Sequence, residues 1–121
     1  MQQPSFRYDE ISDTLSIVFV PGKVATGIEL NEYLLLRVDK EMGQAVGLEI
    51  FEYSIVAQKT ETGSRSLPLS GLTALSEQTR GLVVQILLHP PVSDFLSLST
   101  YTPTLAETWP IAALRPMPIA A

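Results

Sequence analysis

The sequence contains no cysteine and only one histidine, His89. Without cysteine there are no disulfides, no thiolate metal sites and no cysteine nucleophile, and the chain is compatible with a reducing cytoplasm. One histidine cannot form a multi-histidine metal site, and a serine triad would depend on it entirely. Directly before Pro90, His89 is instead predicted to meet the last carbonyls of a helix. We therefore expect no catalytic residues, no cofactor and no metal.

Positive charge and long apolar runs are also scarce. Eight Lys and Arg stand against thirteen Asp and Glu, which gives a net charge of −5. Because basic patches supply most non-specific affinity for nucleic acids, we predict no nucleic-acid partner. The longest apolar stretch, Leu82–Leu88, is interrupted by Gln85 and is too short to span a bilayer. Met1–Ser5 lacks the basic start of a secretory signal. We expect a soluble, cytoplasmic protein with no membrane partner.

The charges that are present are concentrated in the first half of the chain. Residues 1–61 hold ten acidic and five basic residues, whereas residues 62–121 hold three of each. The length of 121 residues fits a single domain over residues 1–121. The second half therefore has either little exposed polar surface or a partner that covers it.

Five segments within residues 5–52 have the alternating pattern of β-strands. Leu15, Ile17 and Phe19, for example, share one face and are predicted to point into the core. The segments are Ser5–Tyr8, Thr14–Val20, Val24–Leu30, Tyr33–Asp39 and Ala45–Phe51. The turns between them contain Pro21-Gly22, Asn31-Glu32 and Asp39–Gly43. Short strands joined by tight turns predict an antiparallel meander with one face that needs a cover.

Apolar residues recur at three- and four-residue spacing over residues 70–89, which predicts a helix that covers the sheet. Ser76 is a suitable N-cap, Glu77 suits the first turn, and Pro90 ends the helix. Gly81 and the run Leu82–Val84 leave a strand over residues 82–88 open as the alternative.

A C-terminal β-like portion is predicted over residues 93–114. Ser93–Leu98 is identical to Ser12–Ile17 at four of six positions. This similarity suggests an abbreviated second copy of the opening hairpin, with Leu105–Leu114 as its partner strand, and convergent strand chemistry is the alternative. The predicted fold class is α+β: an antiparallel β-meander sheet covered by a helical segment, with a C-terminal β-like portion.

Two motifs carry a resemblance to a known family. Tyr8–Ile17 reads YDEISDTLSI, and Val46–Ile50 reads VGLEI. Over about residues 6–55 the chain resembles the small bacterial family called domain of unknown function 2283. It lacks the proline usual in that family after Tyr8-Asp9, and it carries a long C-terminal extension. The resemblance implies a small antiparallel β-sheet domain with no established activity, and some members are encoded beside toxin genes.

The acidic residues are the candidates for chemistry. Asp9, Glu10 and Asp13 form the densest cluster, for which a hard-cation site is one interpretation. The spacing differs from that of a calcium loop, and turn chemistry is favoured because aspartates bond nearby backbone N–H groups. Glu29 and Glu49 could act as an acid–base pair only if their strands brought the two side chains together. Because side chains alternate along a strand, both are instead predicted to point outward, away from the core. A solvated or charge-paired face is the more economical interpretation.

The function predicted from the sequence is that of a non-catalytic, small, cytoplasmic bacterial domain that self-associates or binds a protein partner. One alternative is an antitoxin-like partner that neutralises a toxin, and another is a small metal-dependent or hydrolytic enzyme. We expect a homo-oligomer, most simply a dimer formed through the C-terminal half, because that half holds more apolar residues than a small domain can bury. The predicted interface residues are Leu96, Leu98, Tyr101, Leu105, Trp109, Ile111, Leu114 and Met117.

Overall fold

The computed structural model describes residues 3–60, 63–64, 66–104 and 107–115, and within 59–64 and 100–109 the description is confined to the backbone. The chain divides into two compact units, Met1–Val56 and Ala57–Ala121, which are described in turn. The expectation of a single domain stays a prediction.

The first unit is a five-stranded antiparallel sheet. Its elements are β1 (Ser5–Asp9), β2 (Thr14–Val18), β3 (Thr26–Glu29), β4 (Leu34–Asp39), β5 (Gln44–Phe51) and the short helix α1 (Tyr53–Val56). The strands run in the order β1-β2-β5-β4-β3 across the sheet. The predicted antiparallel, meander-like sheet is therefore confirmed, with one correction: β2 pairs with β5 and not with β3.

Three of the four connections between the strands of this sheet are turns closed by an Asp or Asn side chain. Asp9, Asn31 and Asp39 each open a connection between two paired strands. In each turn the side-chain oxygen accepts the backbone N–H groups two and three residues further on, at 2.8–3.4 Å. The connection between β2 and β3, residues 19–25, contains no Asp or Asn. This connection carries the chain to the far edge of the sheet, where β3 pairs with β4.

Alternate side chains of β2 and β4 are buried, as the sequence pattern predicts, whereas β1 has no buried side chain. Ile17 is only 1% exposed, and Leu15 and Phe19 are buried with it. Burying an aliphatic side chain of this size stabilises a fold by about 1.5–3 kcal/mol relative to leaving it exposed. The same core contains Ile28, Leu30, Leu34, Leu36, Val38, Leu48 and Ile50.

Strand β5 departs from strict alternation near its start. The consecutive residues Arg37–Val38 of β4 pair with Gly47 and Ala45, so Val46 is the extra residue of a β-bulge. Both Ala45 and Val46 are buried as a result. The bulge explains why a run of adjacent residues in β5 lies inside the protein.

The second unit combines a three-stranded antiparallel sheet with one longer helix. Its elements are β6 (Lys59–Thr60), β7 (Gly63–Ser64), β8 (Ser66–Pro68), a 3-10 helix (Ser70–Ala74), α2 (Glu77–Leu88), a second 3-10 helix (Val92–Asp94), β9 (Leu96–Thr104) and β10 (Glu107–Leu114). Strands β6 and β7 pair with each other, and the larger sheet has the order β8-β10-β9. The α+β class is confirmed, while the expectation that the helix covers the first sheet stays a prediction.

Helix α2 decides between the two interpretations of residues 82–88, which are helical. The helix begins after the N-cap Ser76, whose hydroxyl oxygen accepts the backbone N–H three residues on at 3.1 Å. The Arg80 guanidinium donates to the carbonyls of Leu72 and Leu75, each at 2.9 Å. These bonds join the helix to the chain that precedes it. The helix buries Val83, Ile86 and Leu87.

Strand β10 is the central strand of its sheet although it contains Pro110. The carbonyl of Pro110 accepts the N–H of Leu69 at 3.0 Å. Because the nitrogen and the carbonyl of a strand residue point to the same side, the nitrogen of Pro110, which has no hydrogen to donate, faces the end of β8 and not β9. The ladder between β10 and β9 therefore loses no hydrogen bond to this proline. Beyond the last residue of β10, the N–H of Arg115 donates to the carbonyl of Phe95 at 2.8 Å.

The two similar sequence segments, Ser12–Ile17 and Ser93–Leu98, differ in local geometry. Asp13 has a left-handed backbone with φ 53°, whereas Asp94 lies in a 3-10 helix. Strand β2 pairs with the strand before it, and β9 pairs with the strand after it. Strand β10 is that later partner, within the predicted range 105–114. The partial repeat of the opening hairpin stays a prediction.

Candidate functional site

Asp13 is the centre of a hydrogen-bond cluster between the β1–β2 turn and helix α1. Its carboxylate accepts the Tyr8 hydroxyl at 2.6 Å, the Ser54 hydroxyl at 2.6 Å and the Ser54 N–H at 3.0 Å. Its carbonyl accepts the N–H of Tyr53 at 2.9 Å. The Tyr8 and Tyr53 rings meet edge to face, with their centroids 5.9 Å apart. These four residues form what we call the Asp13 cluster.

Hydrogen bonding shifts the pKa values of Asp13 and Tyr8 in opposite directions. The bonds from Ser54 and then from Tyr8 lower the pKa of Asp13 from its ordinary value of 3.8, because they favour the charged carboxylate. The bond to Asp13 raises the pKa of Tyr8 to about 12. Burial raises the pKa of the Tyr53 hydroxyl. At neutral pH the cluster therefore holds one carboxylate anion and two neutral phenols.

Asp13 stands where the β4–β5 turn has a glycine. Asp13 follows Asp9 by four residues, as Gly43 follows Asp39, and both have left-handed backbones with φ 53° and 60°. Aspartate is one of the few non-glycine residues that adopt this conformation with some frequency. Its carboxylate then fastens the turn to α1. The predicted turn chemistry, in which a carboxylate accepts nearby backbone N–H groups, is confirmed for Asp9. The carboxylate of Asp13 instead bonds Tyr8 and the distant Ser54.

Glu29 and Glu49 lie in one row across the first sheet. Both are directly opposite Leu35, one from β3 and the other from β5. They therefore share a face and are two strand spacings, or about 10 Å, apart at their Cα atoms. The hydroxyl of Ser16 is 3.5 Å from a carboxylate oxygen of Glu49. Throughout the part of the chain that the structure describes, no group of three or more potential metal ligands occurs.

His89 lies directly after the last residue of helix α2 and is exposed. Its Nδ1 is 2.6 Å from the carbonyl oxygen of Gln85, one turn back. A ring nitrogen at this distance satisfies one of the carbonyls that a helix leaves without an intrahelical donor. The predicted contact with the last helical carbonyls is confirmed.

The predicted interface residues fall into three groups: buried, half-buried, and those whose side chains the structure does not describe. Leu96 is only 2% exposed, so it is part of the protein interior. Leu98, Ile111 and Leu114 are half-buried. The remaining four are outside the side-chain description: Tyr101 and Trp109 lie in β9 and β10, and Leu105 and Met117 are outside the described residues. The interface itself stays a prediction.

The edges of the two larger sheets differ in their sequences. Strand β1 carries Arg7 and Asp9, β3 has four residues including Glu29, and β8 has three residues that end in Pro68. Charge, short length and proline all discourage pairing with another chain. Strand β9 has nine residues and no charge, with Pro103 next to its last residue. Among the described residues, no strand pairs with its outer side.

The register shows which backbone groups β9 presents at this edge. In an antiparallel pair, successive residues turn their N–H and C=O groups alternately toward the partner and away from it. The carbonyl of Phe95 faces the chain of β10, since it accepts the N–H of Arg115. By alternation, Leu96, Leu98 and Thr100 turn their backbone groups to the outer edge. We call these three residues the β9 edge.

Sequence reasoning missed three features of these sites. Ser54 supplies two of the bonds to Asp13 from 41 positions further along the chain, and nothing in its local sequence marks it. The β9 edge depends on the register of β9 against β10, which a strand pattern does not specify. Tyr8 was visible in the motif YDEISDTLSI, but its bond to Asp13 was not.

Comparison with known proteins gives one family. Residues 5–54 match the family model described as protein of unknown function (DUF2283). The resemblance seen over residues 6–55 is confirmed for that segment, which contains the whole Asp13 cluster. No curated protein and no solved structure matches the chain. Of the helices in the described part of the chain, none has the length and apolar character needed to cross a membrane.

Proposed function

We propose that this chain, whose residues 5–54 match DUF2283, is a non-catalytic module that binds protein by accepting an additional strand at the β9 edge. The added strand belongs either to a second copy of the chain or to a different protein. The observation that carries the proposal is the nine-residue, uncharged strand β9 at the edge of its sheet.

Strand addition suits this edge for a physical reason. The β9 edge offers three N–H and three C=O groups in a row, and main-chain hydrogen bonds to an added strand would satisfy all of them. The exposed Ser99 and half-buried Ser97 beside them are small, so these two side chains leave an approaching strand unobstructed. Each of the other three edges carries charge, a proline or few residues.

The other expectations from the sequence accompany this proposal. The lack of cysteine favours a reducing compartment, so we expect a cytoplasmic location. The toxin-neutralising role implied by the family resemblance is one form of the same binding activity. An enzymatic role would have to use the carboxylates and His89. The carboxylates of Asp9 and Asp13 are already engaged with backbone or hydroxyl donors, and Nδ1 of His89 contacts the carbonyl of Gln85.

The experiment compares two matched serine-to-lysine variants. Ser99→Lys places a charge beside the β9 edge, and Ser5→Lys places one on edge strand β1, where serine is also exposed. The tagged full-length chains are recovered from the native host, and the eluates are analysed by mass spectrometry and light scattering. Wild type and Ser5→Lys should retain a second chain, and Ser99→Lys should lose it because a lysine obstructs strand pairing. Equal retention by both variants, or a wild-type monomer that retains no protein, would contradict the proposal.

A further inference from the structure

We propose that the strand added to β9 is β9 of a second copy of this chain, antiparallel to the first, with the two-fold axis at Leu98. This inference rests on the proposed function, because it names the occupant of the β9 edge and its register. It follows from the length of the regular edge, from the hydrogen bonds that each register allows, and from the absence of charge along β9.

The regular part of the edge is short and has definite ends. At one end, Phe95 bonds Arg115 and follows the 3-10 helix Val92–Asp94, so no extended strand precedes Leu96. At the other end the pairing with β10 is irregular. Tyr101 pairs with residue 109 and Thr104 with residue 107, so three steps along β9 match two along β10. The alternation of backbone groups therefore holds only as far as Tyr101.

One symmetric register uses every outward group of this edge. With the axis at Leu98, Leu98 lies opposite Leu98 of the second copy. Leu96 of each copy lies opposite Thr100 of the other, which gives two further pairs. These three pairs make about six backbone hydrogen bonds, two for each hydrogen-bonded pair of an antiparallel ladder. Moving the axis to Ser97 or Ser99 leaves two such pairs and about four bonds. The register centred on Leu98 is thus the one that leaves no group of the β9 edge unpaired.

The side chains of β9 fit a two-fold axis as well. A symmetric pair of strands brings residues at the two-fold axis close to their own copies, so a charge near the axis would meet a like charge. Strand β9 has no charged residue. In the proposed register Ser97 lies opposite Ser99 of the second copy, and the half-buried Leu98 lies beside its equivalent. A two-fold dimer is also the commonest way in which identical chains assemble.

The absence of cysteine makes the register directly measurable. Single-cysteine variants of the full chain, Ser97→Cys and Ser99→Cys, are oxidised separately and as a mixture in which one variant carries a tag. In the proposed register residues 97 and 99 of opposite copies are a non-hydrogen-bonded pair with Cα atoms about 4.5 Å apart, within disulfide range. Each residue is about 8 Å from its own copy, beyond that range. Ser5→Cys on β1 measures cross-linking by random collision.

We expect the mixture to form the disulfide-linked heterodimer about tenfold faster than either variant alone, because only the mixed pair lies within disulfide range. Circular dichroism of both variants confirms that they remain folded. Rapid cross-linking of Ser97→Cys alone or of Ser99→Cys alone would overturn the register and leave the proposed function standing. If the mixture cross-linked no faster than Ser5→Cys while the chain retained a different protein at β9, the proposal that a second copy occupies the β9 edge would be overturned. A monomer that retains nothing would refute the proposed function itself.

Discussion

Replacing Gly47 with alanine tests the packing of the first sheet at its most crowded point. Gly47 lies in β5 and pairs with Val18 of β2 on one side and with Arg37 of β4 on the other. A Cβ added there would be 3.0 Å from the backbone carbonyl oxygen of Ile17. Because that oxygen belongs to the neighbouring strand, relief requires a shift of β2 relative to β5. A rotation of a flexible side chain would not be enough.

The size of the effect follows from two opposing contributions. Overpacking of a well-packed interior costs about 1–3 kcal/mol. Alanine restricts the unfolded chain more than glycine does, which returns about 0.5–1 kcal/mol. We therefore expect Gly47→Ala to lower the free energy of unfolding by about 1 kcal/mol, within a range of about 0–2.5 kcal/mol.

Gly27 in edge strand β3 is the matched control. A Cβ at that position would be 3.5 Å from Cδ1 of Leu35, an ordinary van der Waals contact. Gly27→Ala should therefore raise the free energy of unfolding by about 0.5–1 kcal/mol, because only the entropic contribution remains. Urea denaturation of both variants measures the difference, provided that the slope m is unchanged. If Gly47→Ala proved as stable as Gly27→Ala, the close approach of β2 to β5 would be refuted.

Three further predictions concern other parts of the fold. Ile17→Ala should cost about 2–5 kcal/mol of stability, since the side chain is 1% exposed; an unchanged melting temperature would place that face in solvent. Gly81→Ala should stabilise helix α2 by about 1 kcal/mol, because its Cβ would meet nothing within 4 Å; a loss of stability would contradict this geometry. Asp13→Asn should be less stable than wild type at pH 7. The pKa of Asp13 is lowered in the folded state, so its contribution is present above the unfolded value of 3.8 and is lost as the pH falls through the folded value. The stability difference, measured by urea denaturation, should therefore shrink below about pH 4, and a constant difference would show that the carboxylate charge is unimportant.

The strands and turns of the first unit were predictable because their signals are local. Alternation of apolar residues marks each strand, and Asp9, Asn31 and Asp39 mark the turns through bonds to backbone two and three residues away. Strand order is not local, since it depends on which distant strands share a ladder. The sequence pattern predicted that each strand pairs with the next one along the chain. It could not show that residues 19–25 carry the chain past β5 and β4 to the far edge of the sheet.

The helix and the candidate sites were predictable to different degrees. Ser76 and Pro90 mark the ends of helix α2, and the structure resolves the helix–strand ambiguity of residues 82–88, which Gly81 had left open. The role of Asp13 in the turn was predictable from its neighbours. Its bonds to Ser54 were not, because they require β5 to lie beside β2 before Ser54 comes near the turn.

The residues of the family motifs have structural roles within the first unit. Tyr8 and Asp13 fasten the β1–β2 turn to α1, Asp9 closes that turn, and Gly47 gives β2 and β5 room to approach. These contacts give a structural role to four residues of the two motifs. The β9 edge lies outside residues 5–54, in the part of the chain with few charges. The match to the family model over residues 5–54 therefore predicts a shared sheet, whereas the strand-addition activity that we propose should be absent from proteins that match the model but lack an equivalent of β9.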